Sequence, residues 1–117
     1  MASLKEQAMS KHCKKIFKET KDKVVYFRNK DGKFHNLNGP AIISFYDNSL
    51  IHVKKMTYYI NGLIHRNEED GPAVIHFATN GSVFYQIYYR NGLEYRRCGP
   101  TYIKYRDNGT VYMEWYR

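Results

Sequence analysis

From residue 24 onward, apolar and polar residues alternate with a period of two, in short runs separated by glycine and asparagine. In the clearest runs, which each follow a Gly-Pro pair, every second residue hardly varies. These residues are Ala41, Ile43 and Phe45, then Ala73, Ile75 and Phe77, then Thr101, Ile103 and Tyr105. Successive side chains of a strand point to opposite faces of its sheet. The pattern therefore predicts three related strands that bury one common face, here called the shared face.

The residues between them change from run to run and define a second face, here called the variable face. It holds Ile42, Ser44 and Tyr46, then Val74, His76 and Ala78, then Tyr102, Lys104 and Arg106. Large side chains of this kind, when several lie together, are typical of an interaction surface. Antiparallel pairing with the following runs gives a predicted partner-binding surface of Tyr85, Ile87, Tyr89, Tyr102, Lys104, Arg106, Met113 and Trp115. An equally good explanation of these large side chains is that an N-terminal helix packs over them.

Turn signals recur in a fixed order along the chain. A turn glycine stands at positions 32, 62 and 92, a Gly-Pro pair at 39–40, 71–72 and 99–100, and a second turn at 48–49, 80–81 and 108–109. The Asn-Gly pairs of the second turn predict two-residue hairpin loops, because primed turns need positive φ at both central residues. Such loops pair Phe77 with Phe84, and Tyr105 with Tyr112, on the shared face. Three copies of one unit, at about 26–57, 58–87 and 88–117, are expected to form an elongated antiparallel meander.

Residues 1–23 differ from the rest, since they contain no glycine, proline or tyrosine and are rich in lysine. Ser3 followed by Glu6 fits a capping box, which marks the start of a helix. Apolar or small side chains at spacings of three and four follow it: Leu4, Ala8, Met9, Cys13, Ile16, Phe17 and Thr20. We therefore expect one amphipathic α-helix over about residues 4–20, with Ile16 and Phe17 packed on the sheet. Attachment of its lysines to an anionic membrane is the alternative.

Composition and charge bear mainly on partners and compartment. The 117 residues include 12 Tyr and 6 Phe but only 3 Pro, and the formal net charge is +8. This charge favours anionic partners as a class, an acidic protein surface among them. Basic and aromatic residues interleave at 102–106, so nucleic-acid binding is a further alternative. Because neither a signal segment nor a membrane-spanning apolar run is present, we expect a cytoplasmic protein that is neither secreted nor transmembrane.

The residue types that carry chemistry do not form a catalytic or metal-binding pattern. His35 and His65 occupy the same repeat position, which is typical of a structural role. The acidic run Glu68 to Asp70 lacks the spacing of a calcium loop, and Cys98 has no histidine partner at a meaningful spacing. We expect a non-catalytic protein without cofactor or metal. Unpaired strands at the ends of the sheet make self-association a further expectation.

The central copy resembles the MORN-type repeat, in the variant common in bacterial, phage and large-DNA-virus proteins. It has the order Tyr59-x-Asn61-Gly62-x-x-His65-Arg66, then Gly-Pro-Ala-x-Ile at 71–75, then Asn-Gly at 80–81. The resemblance covers about residues 26–117 and implies an elongated antiparallel sheet of stacked hairpins. It also implies a role in protein assembly or membrane attachment, which includes small virion or capsid-associated components of a virus particle or an infected-cell cytoplasm. The Gly-Pro pair departs from the Gly-x-Gly of the better-studied eukaryotic form.

Overall fold

The computed structural model of the protein describes residues 15–117. Their strands are β1 Phe17–Lys21, β2 Val24–Arg28, β3 Ile42–Phe45, β4 Val53–Thr57, β5 Tyr59–Ile60, β6 Leu63–Ile64, β7 Val74–Phe77, β8 Val83–Ile87, β9 Tyr89–Arg90, β10 Leu93–Glu94, β11 Tyr102–Tyr105 and β12 Val111–Trp115. Eight of them form one antiparallel sheet in the order β1-β2-β3-β4-β7-β8-β11-β12. The pairs β5–β6 and β9–β10 are short separate hairpins. The predicted β-rich antiparallel meander is therefore confirmed, and no membrane-spanning helix is found in residues 15–117.

The eight-stranded sheet consists of four hairpins, and the first of them was not predicted. Strand β1 pairs with β2 from Phe17 opposite Arg28 to Lys21 opposite Val24. The predicted helix is therefore wrong for residues 17–20, while residues 4–14 lie outside the described part of the chain. Phe17 is 54% exposed on this edge strand and does not dock onto a face of the sheet. Backbone pairing with the free side of β2 outweighs the three- and four-residue spacing in this short stretch.

The short hairpins contain the primed two-residue turns. Asn61 and Gly62 have φ values of 48° and 86°, and Asn91 and Gly92 have values of 49° and 84°. Ile60 lies opposite Leu63, so each loop has only two residues. Asparagine tolerates positive φ better than most residues, and glycine adopts it without strain. The Asn-Gly sequence therefore forms the expected turn at this place in the unit.

The long hairpins β7–β8 and β11–β12 have three-residue loops instead of the predicted two. The Ala78 N–H donates to the Ser82 carbonyl at 2.8 Å, and the Arg106 N–H donates to the Thr110 carbonyl at 2.8 Å. Only the last loop residue adopts positive φ, with 89° at Gly81 and 86° at Gly109. This is the pattern of a type I turn that ends on a left-handed glycine.

A β-bulge next to each loop restores the predicted register. Phe77 lies opposite Val83 but His76 lies opposite Tyr85, which leaves Phe84 as the extra residue. In the last hairpin Tyr105 lies opposite Val111 and Lys104 opposite Met113, so Tyr112 is the extra residue. The predicted pairs Phe77–Phe84 and Tyr105–Tyr112 are therefore wrong. The longer loop and the bulge cancel each other, and all pairs further from the turn are as predicted.

Burial is greatest on the shared face beside the Gly-Pro pairs. Ala41, Ala73 and Thr101 are 0% exposed. The Thr101 hydroxyl donates to the Glu94 carboxylate at 3.4 Å, so the short hairpin β9–β10 reaches over this part of the face. Further along the strands, Ile75 is only half-buried. The described protein is thus an elongated sheet of 50 × 36 × 23 Å, with a small core along one side.

Candidate functional site

Most residues of the predicted binding surface lie side by side on the variable face. Tyr102 in β11 pairs with Ile87 in β8 and with Trp115 in β12. Lys104 pairs in the same way with Tyr85 and Met113. Three neighbouring strands therefore bring these six residues together, as the alternation of side chains along each strand requires. Their role in binding remains a prediction.

Aromatic rings form a row across strands β7, β8 and β11. The His76 and Tyr85 rings stack with centroids 5.0 Å apart and planes 23° apart. The Tyr85 and Tyr102 rings continue the row at 5.8 Å and 20°. Phe84, the bulged residue, meets the His76 ring edge-on at 5.7 Å. His76, Tyr85 and Tyr102 therefore form one continuous row of stacked rings on the variable face.

The two bulged aromatic residues hold the cationic part of the surface. The Lys104 ammonium lies 5.1 Å from the Phe84 ring centroid and 5.6 Å from that of Tyr112. The Arg106 guanidinium lies 5.4 Å from the Tyr112 ring centroid and donates to the Val111 carbonyl at 2.6 Å. Sequence reasoning missed Phe84 and Tyr112 because it placed them on the shared face. The sequence carried no clear signal for the extra residue, because two-residue and three-residue hairpin loops can both end on Asn-Gly.

The ionisation of the surface follows from burial and from neighbouring lysines. Burial, followed by Lys55 and Lys54, lowers the pKa of His76 below its ordinary 6.5. His76 is therefore neutral at pH 7. Burial, with Tyr85 as a second cause, raises the pKa of Tyr102 above its ordinary value of 10.0. Lysine and arginine side chains thus supply the positive charge of this face.

Exposure is highest at the β12 side of the surface. Trp115 is 58% exposed, Tyr112 59% and Met113 41%. Arg106 is also exposed, at the tip of the last hairpin beyond β11. Tyr89, in contrast, lies in β9, where it pairs with Glu94 in the short hairpin. Tyr89 therefore belongs to the short hairpin and not to the eight-stranded sheet, which the chain leaves after Ile87, and its place in a binding surface remains a prediction.

A second set of arginine–tyrosine contacts lies at the Gly-Pro loops. The Arg66 guanidinium carbon is 4.0 Å from the Tyr58 ring centroid, and the Arg66 guanidinium donates to the Pro72 carbonyl at 3.1 Å. Arg96 repeats both contacts with Tyr88 and Pro100, at 4.0 and 3.1 Å. A Cβ atom at Gly71 would lie 2.8 Å from the Arg66 guanidinium. Each arginine is therefore enclosed between a tyrosine and a glycine. Asn36 makes the matching bond to the Pro40 carbonyl in the first copy.

The repeated histidines join successive copies. His35 Nδ1 accepts the Asn61 N–H at 2.9 Å, and His65 Nδ1 accepts the Asn91 N–H at 3.1 Å. Each histidine thus fixes the primed turn of the next copy, in agreement with its predicted structural role. Glu68 adds a further link, since its carboxylate accepts the Arg97 N–H at 3.0 Å. The acidic run therefore contributes to stacking of the copies.

A groove of about 580 Å³ opens between the Gly-Pro loops of the first two copies. Its polar lining includes Asn36, His65 and Arg66, which are already hydrogen-bonded within the chain. Within residues 15–117, no group of three histidine, cysteine or acidic side chains is placed to hold a metal ion. Cys98 is exposed and unpaired. The variable face therefore remains the best candidate for a functional surface.

Comparison of the chain with protein-family models, with curated proteins and with solved structures finds no match.

Proposed function

We propose that the protein is a non-catalytic interaction or scaffold module that binds another protein through its variable face. The observation that carries this proposal is the group of Tyr85, Tyr102, Lys104, Met113 and Trp115 on three adjacent strands, with Trp115 58% exposed. Aromatic and methionine side chains are enriched where proteins meet, and a central tryptophan is often a dominant contact. The resemblance to the MORN-type repeat supports the same role, including a place in a virus particle.

The charge of the face favours an acidic partner. Lys104 and Arg106 lie over aromatic rings, and Lys54 and Lys55 lie close enough to lower the pKa of His76. The chain as a whole carries a formal charge of +8. Complementary charge speeds association and aligns the two surfaces, while buried aromatic contacts slow dissociation. The partner proposed here is therefore a folded protein with an acidic patch beside an apolar one.

The test compares two charge reversals of equal size. Lys104→Glu changes the variable face, whereas Lys30→Glu changes an exposed lysine in the first short turn. Proteins captured from the source cells by the wild type and by Lys30→Glu, but not by Lys104→Glu, are purified and titrated against all three chains. We expect Lys104→Glu to weaken binding about tenfold or more and Lys30→Glu to have little effect. Equal losses for both variants would contradict a site on this face.

Nucleic-acid binding is the second candidate, because the ring row His76–Tyr85–Tyr102 is flanked by lysines on an open sheet. A labelled single-stranded oligonucleotide distinguishes the two functions. Binding to phosphates releases counterions, so its affinity falls steeply as salt rises. An affinity for the oligonucleotide that Lys104→Glu abolishes and that falls steeply with salt would favour this candidate over the protein partner.

A further inference from the structure

The two edge strands of the sheet differ in character. All five residues of β12 are exposed, and they include Val111, Tyr112, Met113 and Trp115. All five residues of β1 are also exposed, but three of them are Lys18, Glu19 and Lys21. Among the described residues, neither strand has a partner on its outer side. An exposed apolar edge strand is a template for pairing with another strand, and opposite charges placed across two strands favour their pairing.

Every internal junction between hairpins has the same construction. The second strand of one hairpin pairs with the first strand of the next, as in β2–β3, β4–β7 and β8–β11. The register repeats as well, with Val25 opposite Ile43, Met56 opposite Ile75, and Gln86 opposite Ile103. Strand β12 is the second strand of its hairpin, like β2, β4 and β8. Each of those three strands pairs on its outer side with the first strand of the next hairpin, whereas among the described residues β12 does not.

Strand β1 is a first strand by the same criterion. Thr20 lies opposite Val25 within its hairpin, as Ile103 lies opposite Glu114 within the last one. Thr20 therefore takes the place that Ile43, Ile75 and Ile103 take in the other hairpins. The outer side of β1 is the kind of edge that a second strand covers elsewhere in the sheet. The outer edges of β12 and β1 therefore have the same strand positions and register as the two sides of an internal junction.

We propose that molecules of this protein associate head to tail, with β12 of one molecule paired antiparallel with β1 of the next. The register of the internal junctions places Glu114 opposite Thr20, Trp115 opposite Glu19, and Met113 opposite Lys21. One antiparallel sheet then runs through successive molecules, with the same strand order and register at every junction. Because the two surfaces in such a contact are different, the assembly does not close at a dimer and grows into short chains.

The backbone groups of the two edges match in this register. Across the internal junctions the Tyr58 N–H donates to the Ala73 carbonyl at 2.8 Å, and the Tyr88 N–H donates to the Thr101 carbonyl at 2.7 Å. The corresponding bond joins the Tyr116 N–H to the Lys18 carbonyl. Backbone N–H and carbonyl groups of successive residues point to opposite sides of a strand, so those of residues two apart point to the same side. Glu114 and Thr20 therefore both direct their N–H and carbonyl groups outward and form a hydrogen-bonded pair.

The side chains match as well. Lys104 lies 5.1 Å from the Phe84 ring across the β8–β11 junction, and Lys21 and Tyr112 take the same two places at the proposed one. On the shared face, Lys18 lies diagonally across from Glu114, where opposite charges attract. Symmetric pairing of two β12 strands centred on Glu114 would instead set two carboxylates against each other. Charge complementarity thus favours β1 as the partner of β12.

Two proline variants test this pairing in the full chain. Thr20→Pro and Glu114→Pro each remove one outward-facing N–H, a position that tolerates proline on an edge strand. In sedimentation velocity, we expect the wild type to form dimers and longer chains as its concentration rises. Each variant alone should remain a monomer. An equimolar mixture should form a dimer and nothing larger, because only β12 of the Thr20→Pro chain and β1 of the Glu114→Pro chain are intact.

Several outcomes would overturn the proposal. A wild type that remains monomeric at high concentration would do so, and a Thr20→Pro chain that dimerises alone would show that β12 pairs with itself. Unfolding midpoints close to the wild-type value establish that both variants fold. If either proline variant does not fold, charge reversal replaces it. Lys18→Glu and Glu114→Lys should each weaken association about two- to fivefold, and the double variant should restore it. A double variant that associates no better than the single ones also contradicts the pairing.

Discussion

Arginine or lysine meets aromatic rings on both sides of this sheet, but the contacts differ in kind. At the Gly-Pro loops, Arg66 and Arg96 lie 4.0 Å from tyrosine rings, and each also bonds to a proline carbonyl. On the variable face, Lys104 lies more than 5 Å from the Phe84 and Tyr112 rings. Tyr88 beneath Arg96 is 8% exposed, whereas Tyr112 is 59% exposed. The first set recurs in two copies, and the second set occurs once.

The enclosed arginine–tyrosine contacts at the Gly-Pro loops stabilise the fold, whereas the exposed lysine–aromatic contacts of the variable face leave their side chains available to a partner. An enclosed guanidinium that satisfies a carbonyl leaves an unpaired buried group when it is removed. A cation beside an exposed ring loses little, because water replaces the contact. Removal of a cation–ring contact should therefore cost more stability at the Gly-Pro loops than on the variable face.

Apart from removal of the Tyr88 ring, replacement of Gly71 by alanine should have the largest effect. Its φ of 129° is strained for any residue with a side chain, and the new Cβ would lie 2.8 Å from the Arg66 guanidinium. We expect a loss of about 2–3 kcal/mol in the free energy of unfolding, measured by urea titration. Gly39→Ala is the matched control in the first copy, where φ is ordinary and the nearest atom is 3.7 Å away. Equal losses at both positions would contradict the role given to the arginine.

Arg96→Ala should destabilise the protein by about 1–2 kcal/mol, since it removes both the ring contact and the bond to the Pro100 carbonyl. Lys104→Ala removes a cation of equal charge from the variable face and should cost less than about 0.5 kcal/mol. Urea midpoints of the two variants provide the comparison. A larger loss for Lys104→Ala would mean that the variable face supports the fold.

His65→Ala should cost about 1 kcal/mol, because it leaves the Asn91 N–H of the next turn without its acceptor. Tyr95 occupies the same repeat position in the last copy, so Tyr95→Ala is the control. It is 41% exposed, and its replacement should be nearly neutral. Amide hydrogen exchange at Asn91 is the direct readout. Unchanged protection of that amide in His65→Ala would show that the bond does not hold the turn.

The pH dependence should be the smallest effect. The pKa of His76 is lowered in the folded protein, so the unfolded chain binds more protons once the pH falls below 6.5. The contribution of His76 to stability is therefore complete above pH 6.5 and is lost as the pH falls from 6.5 to the folded pKa. His76→Gln should flatten the decline of the unfolding midpoint between pH 7 and about pH 5. An unchanged slope in His76→Gln would assign the decline to other groups.

The repeat, the strand pairing and the two faces were predictable because each depends on alternation along a strand. The register implied by the predicted Tyr105–Tyr112 pair also sets Trp115 opposite Tyr102. That pair is correct although the turn is not, since the longer loop and the bulge at Tyr112 offset each other. Strand β1 was missed because its pairing with β2 is not visible in the local pattern of residues 17–21. The positions of Arg66 and Arg96 depend on how loops fold over the sheet, which alternation does not determine.

The most direct test of the contrast is the free energy of unfolding of Tyr88→Ala against that of Tyr102→Ala. Both changes remove the same ring from neighbouring parts of the sheet. Tyr88 is enclosed beneath Arg96, and its loss should cost about 3–4 kcal/mol, as for a buried aromatic side chain. Tyr102 stacks on Tyr85 at the half-exposed variable face, and its loss should cost about 1 kcal/mol. Equal losses, or a larger loss for Tyr102→Ala, would contradict the assignment of the variable face to a partner.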